Sequence, residues 1–585
     1  MKKLLTFVMM LILATTAVFG GLVGCNRGES EDFDNTKSHL YLGIYNAGFG
    51  TEYANDLKRR FEEFYAEESF EEGKVGVQVH VLDVPQGNAF IGSIEDSEVE
   101  VFFTSNSDYY QFVNRGYILN IDDVVTGSLS KYGDVRTIES RLSQQMQDFF
   151  KTDNGYYAVP YVTSYSGMGM NVDLFEDNDL YFAKGGCPSE YLRTNPNCDD
   201  ALDFPEDVTE WSDDMYEFTG TGEKSAGPDG KYNTPDDGEP ATYEEFFAFC
   251  DHCYDSNIQA FHWPGKYDWT FSATIIQMAA DYEGVEQFSL NYNFNGTAKT
   301  IVEVDEDGVV TRLPELKITN ENGYKLVQQE SKYYVLSFLE ELLSRSNYYD
   351  VRKSLEDATH THTDAQDDFV TGGILPNQPE IALLVDGEWW WNEAQPGFKV
   401  AEEYSKGAYK TADRRFKMLS FPKATNEKVG EPFTALISGD SICAINANIE
   451  SAKERMAKEF VKFAFTNESN LQFTKITSCA RPYEYDIPDG YLEGLNYFAQ
   501  NVMKTYDTAE RCFVGSENPM YISNAFNFFN QENFWSTKID GSERNTPMTE
   551  LVRNNVTAIE YFNGMQAMKD KTFWDNRYTD YYGKN

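Results

Sequence analysis

The chain has 585 residues, long enough for more than one domain, and 42 Phe, 38 Tyr and 8 Trp within a 41% hydrophobic composition set it outside the disordered class. Asp and Glu number 95 against 49 Lys and Arg, a formal net charge of −46. That field repels nucleic-acid phosphates and anionic lipid alike, so the expected partner is neither, and a neutral, ring-shaped ligand suits the acid-and-aromatic composition best.

Met1-Lys2-Lys3 and the uncharged apolar stretch Leu4 to Val23 run into Leu22-Val23-Gly24-Cys25. Small residues before a cysteine at this position are expected to mark a lipoprotein signal over 1–24, with Cys25 lipidated after cleavage. The polar stretch to Lys37 then serves as a flexible tether over 25–37, on the outer face of a bacterial cytoplasmic membrane. His39 to Tyr45 predicts a short apolar strand, and Thr51 opens an amphipathic helix with Leu57, Phe61, Phe64 and Tyr65 at helical spacing. Strands follow at Val75 to Val84 and Val99 to Phe103, a strand–helix alternation that implies a parallel sheet. The alternation recurs at Ser441 to Asn446 and in the helix beginning at Ser451.

Four segments in chain order carry a family likeness. They are GYYAVPY from Gly155 running to MNVDLF at Met170, the passage from Phe369 to Ala394, the turn and return strand from Phe416 to Phe433, and the helix Ser451 to Thr474. With the start of the mature chain, they resemble the family 1 extracellular solute-binding proteins, the maltose-binding-protein-like receptors of ABC sugar importers. The resemblance implies an α/β fold of two periplasmic-binding-protein-like lobes, each a mixed, mostly parallel sheet with flanking helices, and a ligand cleft between them. It places an N-lobe at 38–160 plus 434–485 and a C-lobe at 161–433 plus 486–585, with extra length in 176–350. It also implies an oligosaccharide ligand, an ABC permease as partner, a monomer, and binding without catalysis.

Sugar rings need aromatic plates for their C–H faces and carboxylates, amides or Arg for their hydroxyl rims. Trp389-Trp390-Trp391 follows Glu388 at the end of an apolar strand, where clefts collect side chains, and the resemblance puts its plate on Trp389. Tyr267 and Trp269 form a second aromatic candidate, in a position where the family also supplies rings. Phe49 and Glu52 follow the first strand. Asp108 and Tyr109 open a helix where the family places polar contacts, although an Asp there is also an ordinary N-cap. Arg481 lies near the last crossing between lobes.

The acidic loop Gly227 to Glu239 offers Asp229, Asn233, Asp236 and Asp237 as oxygen ligands for a structural Ca²⁺. It resembles the calcium loop of alginate-binding members but departs from their spacing, with Pro235 interrupting it; a solvated acidic turn is the competing expectation. Cys250-Asp251-His252-Cys253 has half the spacing of a zinc site on a helical run, where inert thiols are expected, while Cys187 and Cys198 flank a loop and could pair. His360-Thr361-His362 reads as a polar turn. No nucleophile elbow, zinc-protease helix or P-loop spacing is present. The alternative function, a lipid-anchored glycoside hydrolase or lyase, needs two carboxylates at a fixed separation across the cleft.

Overall fold

The computed structural model describes residues 33–105, 108–163, 165–190, 216–265, 269–439, 441–522, 537–539, 542–544, 546–568, 570–572 and 574–576. In chain order the elements that frame the molecule are β1 (Ser38–Ile44), α1 (Glu52–Phe64), β2 (Val77–Asp83), β3 (Val101–Thr104), β4 (Ala158–Pro160), β5 (Ser166–Asn171), β6 (Gln259–His262), α2 (Trp269–Phe288), α3 (His362–Thr371), β7 (Ile381–Gly387), β8 (Phe416–Met418), β9 (Thr434–Ser438), β10 (Ile442–Ile445), α4 (Ser451–Ala464) and β11 (Glu510–Val514).

Two sheets form. The first has the order β2-β1-β3-β10-β4 and the second β6-β7-β5-β8. β1 pairs parallel with both β2 and β3, while β10 runs antiparallel to β3 and β4. β1 is buried along six of its seven residues, because a strand in the middle of a helix-covered parallel sheet has no solvent face. α1 lays Tyr53, Ala54, Leu57 and Phe61 on that sheet at helical spacing, and the Phe61 ring meets Phe460 of α4 edge-on at 5.0 Å. In the second sheet β6 runs parallel to β7, and β5 is antiparallel to β7 and β8. The first sheet draws all its strands from 38–160 and 434–485, the second from 161–433.

β9 joins neither sheet. It pairs in parallel with β11, and its Leu436 amide donates to Gln277 Oε1 of α2 at 2.9 Å. A buried ion pair fastens the same corner. Lys423 Nζ lies 2.8 Å from Asp281 Oδ2, both side chains are almost fully buried, and Asp281 Oδ1 accepts from the Thr434 amide at 3.0 Å. Cys250 and Cys253 are buried on the helix Tyr243–Asp255, and burial pushes both thiols well above their usual range, so neither is a reactive thiolate. Cys198, the expected partner of Cys187, lies outside the described residues. Among the described residues no helix is long and apolar enough to cross a membrane.

Removing Lys423 leaves the Asp281 carboxylate buried without its counter-charge. Lys423→Met is expected to destabilise the protein by about 3–5 kcal/mol, and adding Asp281→Leu should recover a large part of that loss. Denaturant melts of the two variants check it; equal losses in single and double variants would show that the pair does not carry this corner.

Candidate functional site

The site is built where the C-terminal ends of β1 and β7 face each other, the place at which α/β sheets present side chains to a ligand. After β1 the chain turns through Tyr45 to Gly50; after β7 it passes Gly387, Glu388 and Trp389 into the short helix Trp390–Glu393. Asn392 Nδ2 donates to the Gly48 carbonyl across the gap at 3.0 Å. Two glycines make the approach possible. A Cβ on Gly387 would sit 1.9 Å from the Trp389 ring, and one on Gly48, whose φ is +85°, would come within 2.9 Å of Trp389 Cδ1. Trp389 therefore folds back over the end of its own strand, with the first lobe's loop against its edge.

On Trp389 lies Trp269, the first residue of α2, with ring centroids 5.9 Å apart and planes inclined by 22°. Trp269 keeps 47% of its surface exposed, unusual for so large a ring in a protein with ample core to hide it. Beside the rings stands a polar wall. Gln366 of α3 donates through Nε2 to Asp386 Oδ2 at 2.9 Å and to Glu393 Oε2 at 2.8 Å. His362 Nε2 lies 3.8 Å from Glu393 Oε1. Burial, and then the Glu393 charge, raises the Tyr45 phenol. Burial pushes the Asp386 carboxyl up to about 7 against the pull of hydrogen bonds from Gln366, the Gly387 amide and Trp389, with Glu393 adding to the rise. Flat rings beside carboxylate acceptors are suited to a ligand with C–H faces and hydroxyl donors.

Of the sequence-expected site residues, Trp389 and Trp269 meet here. Trp390 and Trp391 do not. Successive residues of a helical turn point about 100° apart, and these two turn inward: Trp390 packs edge-on against Phe369 and Phe416, and Trp391 stacks on Phe498 at 5.4 Å. Glu388 is fully buried beside Tyr506, whose hydroxyl lies 3.4 Å from its Oε1, and burial raises it well above the carboxylate range.

Arg481 is a core residue rather than a ligand contact. Its Nη1 donates to the Ala464 carbonyl at 2.7 Å and to Asn470 Oδ1 at 3.2 Å, and its guanidinium lies over the Phe473 ring at 4.4 Å. Phe49 is likewise buried against Tyr161 and Phe473. Asp108 caps the helix Tyr109–Arg115, accepting from the Gln111 amide at 3.2 Å, and the buried Tyr109 hydroxyl donates to the Phe150 carbonyl at 2.7 Å. Glu52 is exposed in the first turn of α1, where its charge complements the helix dipole. Tyr267 and Cys25 lie outside the described residues.

In the acidic loop the Thr234 hydroxyl sits among three carboxyl oxygens, 2.8 Å from Asp236 Oδ1, 3.1 Å from Asp237 Oδ1 and 3.4 Å from Asp229 Oδ1. Asn233 takes a positive φ of 65°, and its amide donates to Asp237 Oδ2 at 2.8 Å. Burial and the neighbouring Asp236 charge raise the Asp229 carboxyl. All three carboxylates also accept from the loop's own backbone amides, those of Asp229, Lys231 and Asn233.

Glu393, Asn392, Gln366 and His362 were not among the sequence candidates. Asn392 and Glu393 had a signal, lying three and four residues after Trp389 and so one helical turn away on the same face. Gln366 had none, since only the packing of α3 brings it to the strand end.

The Asp386 carboxyl makes stability pH-dependent. Its folded value of about 7 lies above the ordinary 3.8, so the stability it contributes is complete below pH 3.8 and is lost as pH rises to about 7. Asp386→Asn cannot ionise, and is expected to flatten the fall in Tm across that window and to gain up to a few kcal/mol above it. Parallel pH–Tm slopes in the two proteins would remove Asp386 as the cause.

A family model described as bacterial extracellular solute-binding protein matches residues 67–489. Comparison with the curated proteins gives no sequence match. Among solved structures, maltose-bound MalE3 of T. maritima superposes with a TM-score of 0.50 at 10% identity, covering 91% of this chain and 99% of that one. A chitin oligosaccharide binding protein gives 0.48 at 14% identity over 92% and 98% of the two chains. The mannobiose complex of BlMnBP1 from Bifidobacterium animalis subsp. lactis gives 0.49 at 13% over 93% and 95%. The match to MalE3 bears on the fold, which is the two-lobed one; the family match spans most of the sequence, and the chain belongs to the bacterial extracellular solute-binding proteins.

Proposed function

We propose that this receptor captures a carbohydrate, an oligosaccharide, between its lobes and delivers it to an ABC permease without making or breaking a bond. The observation that carries the reading is the half-exposed Trp269 stacked on Trp389 at the mouth between the two sheets. Glu393 and His362, both part-exposed, stand beside it for the hydroxyl rim, and the buried Gln366 amide holds Glu393 in place. The fold neighbour MalE3 was solved with maltose bound, which accords with the same ligand class. Cys25 supplies the lipid anchor and residues 25–37 the tether, which keeps the receptor at the membrane face where a permease works.

Stacking contributes about 0.5–1.5 kcal/mol per ring beyond the area it buries. Trp269→Ala and Trp389→Ala are each expected to lose about tenfold or more in affinity for the preferred glycan, with melting temperature near that of the parent for Trp269→Ala. The preferred glycan is found first, by thermal shift against an oligosaccharide panel, where ligand at about 100 times Kd adds about 2.7 kcal/mol. A stabilising glycan recovered intact, with affinity lost in both variants, supports the reading. Full affinity in both variants removes the aromatic pair from the site, and cleaved glycan identifies a hydrolase.

The acidic loop is proposed to hold one structural Ca²⁺ through Asp229, Asp236 and Asp237. In protein freed of Zn²⁺, added Ca²⁺ should raise the melting temperature of the parent and leave that of Asp229→Ala unmoved. An identical response in both counts against calcium at this loop.

A further inference from the structure

His262, His360 and Asp368 come from three separate pieces of the second lobe and meet at single atoms. His262 is in the last position of β6, His360 lies in the turn before α3, and Asp368 is within α3. The two Nε2 atoms are 3.0 Å apart, and Asp368 Oδ2 lies 3.5 Å from that of His262 and 3.7 Å from that of His360. Among the described residues this is the group whose three ligand atoms all converge within 4.8 Å. Around a tetrahedral zinc with bonds of about 2.0–2.2 Å, neighbouring ligand atoms are about 3.3–3.6 Å apart. The three observed separations bracket that edge length.

The geometry points to a site for one divalent transition-metal ion of the zinc class, held by His262 Nε2, His360 Nε2 and Asp368 Oδ2. The ligand types favour it over Ca²⁺ or Mg²⁺, since two imidazoles and one carboxylate are a borderline-soft set and hard cations take oxygen. His262 is fully buried and His360 nearly so, which fixes both rings before any ion arrives.

Two neighbours set the terms of entry. Lys353 Nζ sits 2.6 Å from the same Asp368 oxygen, so an ammonium occupies the cation's side of the carboxylate. Its side chain keeps 23% of its surface exposed and can swing to solvent when the ion binds. The Gln259 amide nitrogen lies 2.9 Å from the Phe261 carbonyl and 3.0 Å from His262 Nδ1. As a donor to both, it leaves the His262 proton on Nε2, directed at the His360 Nε2 lone pair. For the ion to bind His262 Nε2, the proton has to sit on Nδ1 instead, and the Gln259 side chain turns its oxygen to accept it, giving up its bond to the Phe261 carbonyl. Metal-bound imidazoles ordinarily carry such an outer partner on the second nitrogen.

The site bears on the ligand wall through α3. Gln366, which holds Asp386 and Glu393 together, and Asp368 stand two residues apart on this helix. An ion on Asp368 cross-links the helix to the end of β6 and so braces the element that positions Gln366.

The test uses the chelator-treated, dialysed protein in excess Ca²⁺, so that oxygen-rich loops are filled, titrated with Zn²⁺ and separately with Co²⁺. One ion per chain is expected, with a tetrahedral-type cobalt absorption and a rise in melting temperature. His360→Gln and Asp368→Asn should each weaken Zn²⁺ binding by at least about tenfold and abolish the cobalt band. Lys353→Met should tighten it, because the competing ammonium is gone. His262 is left in place because its loss would disturb the strand end. No saturable binding by the parent protein overturns the proposal and leaves the histidines as a plain N–H to N hydrogen bond. Unchanged binding in natively melting His360→Gln and Asp368→Asn overturns it equally.

Discussion

The geometry of the site depends on how one strand ends. β7 stops at Gly387, and the absence of a side chain there lets the Trp389 ring lie back over the strand, where a Cβ would overlap it. The next two residues turn into a helix and bury, Trp390 among Phe369 and Phe416 and Trp391 on Phe498. A ring flanked by two anchored neighbours cannot rotate freely, so Trp389 is presented with little conformational entropy left to lose. Trp269 rests on it from α2, and Asn392 and Glu393 follow one turn later on the same helix. Plate, rim acceptor and contact to the opposite lobe are thus all consequences of one strand-to-helix turn.

The acidity of the chain is handled in two ways. Over the surface, the excess of acids stays solvated. Inside, several acids are matched by a partner: Asp281 by Lys423, Glu239 by Lys417, and Asp386, with the part-buried Glu393, by the shared Gln366 amide. Burial without an adjacent base is what raises Asp386 into the neutral range, whereas Asp368, with Lys353 and His262 beside it, is held low. Two carboxyls on the second sheet's flank therefore differ in charge at the same pH because of their partners.

Much of this organisation was legible in the sequence. The alternation of apolar strands with amphipathic helices located β1, β2, β3 and β10 and the starts of α1 and α4 to within two residues, since period and burial are local properties; α1 ends earlier, at Phe64, and the stretch from Ser451 breaks after Ala464 into a second helix, Asn467–Thr477. Trp389 was singled out as a ring at a strand end and Trp269 by the family likeness, but that the two rings stack follows from where α2 docks and not from either signal. Trp390, Trp391, Phe49, Tyr109 and Arg481 carry the same chemical signal but point into the core, and direction is set by tertiary packing that composition does not encode. Arg481 shows why: a guanidinium can be fully buried when carbonyls and the faces of Phe465 and Phe473 take the place of water. Gln366, and the meeting of His262 with His360 across 98 residues, depend on the docking of α3 and on nothing near them in sequence.

The two kinds of contact between lobes explain how such a site can open. On one side β9 and β11 pack on α2 of the second lobe, and Phe513 meets Phe149, which lies between β3 and β4 of the first sheet, edge-on at 5.2 Å. Apolar ring contacts lose their full stabilisation when separated, so this side resists opening. On the ligand side the lobes meet through the Asn392–Gly48 hydrogen bond and the edge of Trp389. A hydrogen bond exchanged for water contributes only about 0.5–1.5 kcal/mol net, so separation there costs little. An apolar contact at one end and a polar, water-replaceable one at the other define a hinge axis near the first. Parting of the lobes on that side would wet Trp389 and Gly48, and a ligand that touches both lobes would favour closure by the contacts it gains only when they meet.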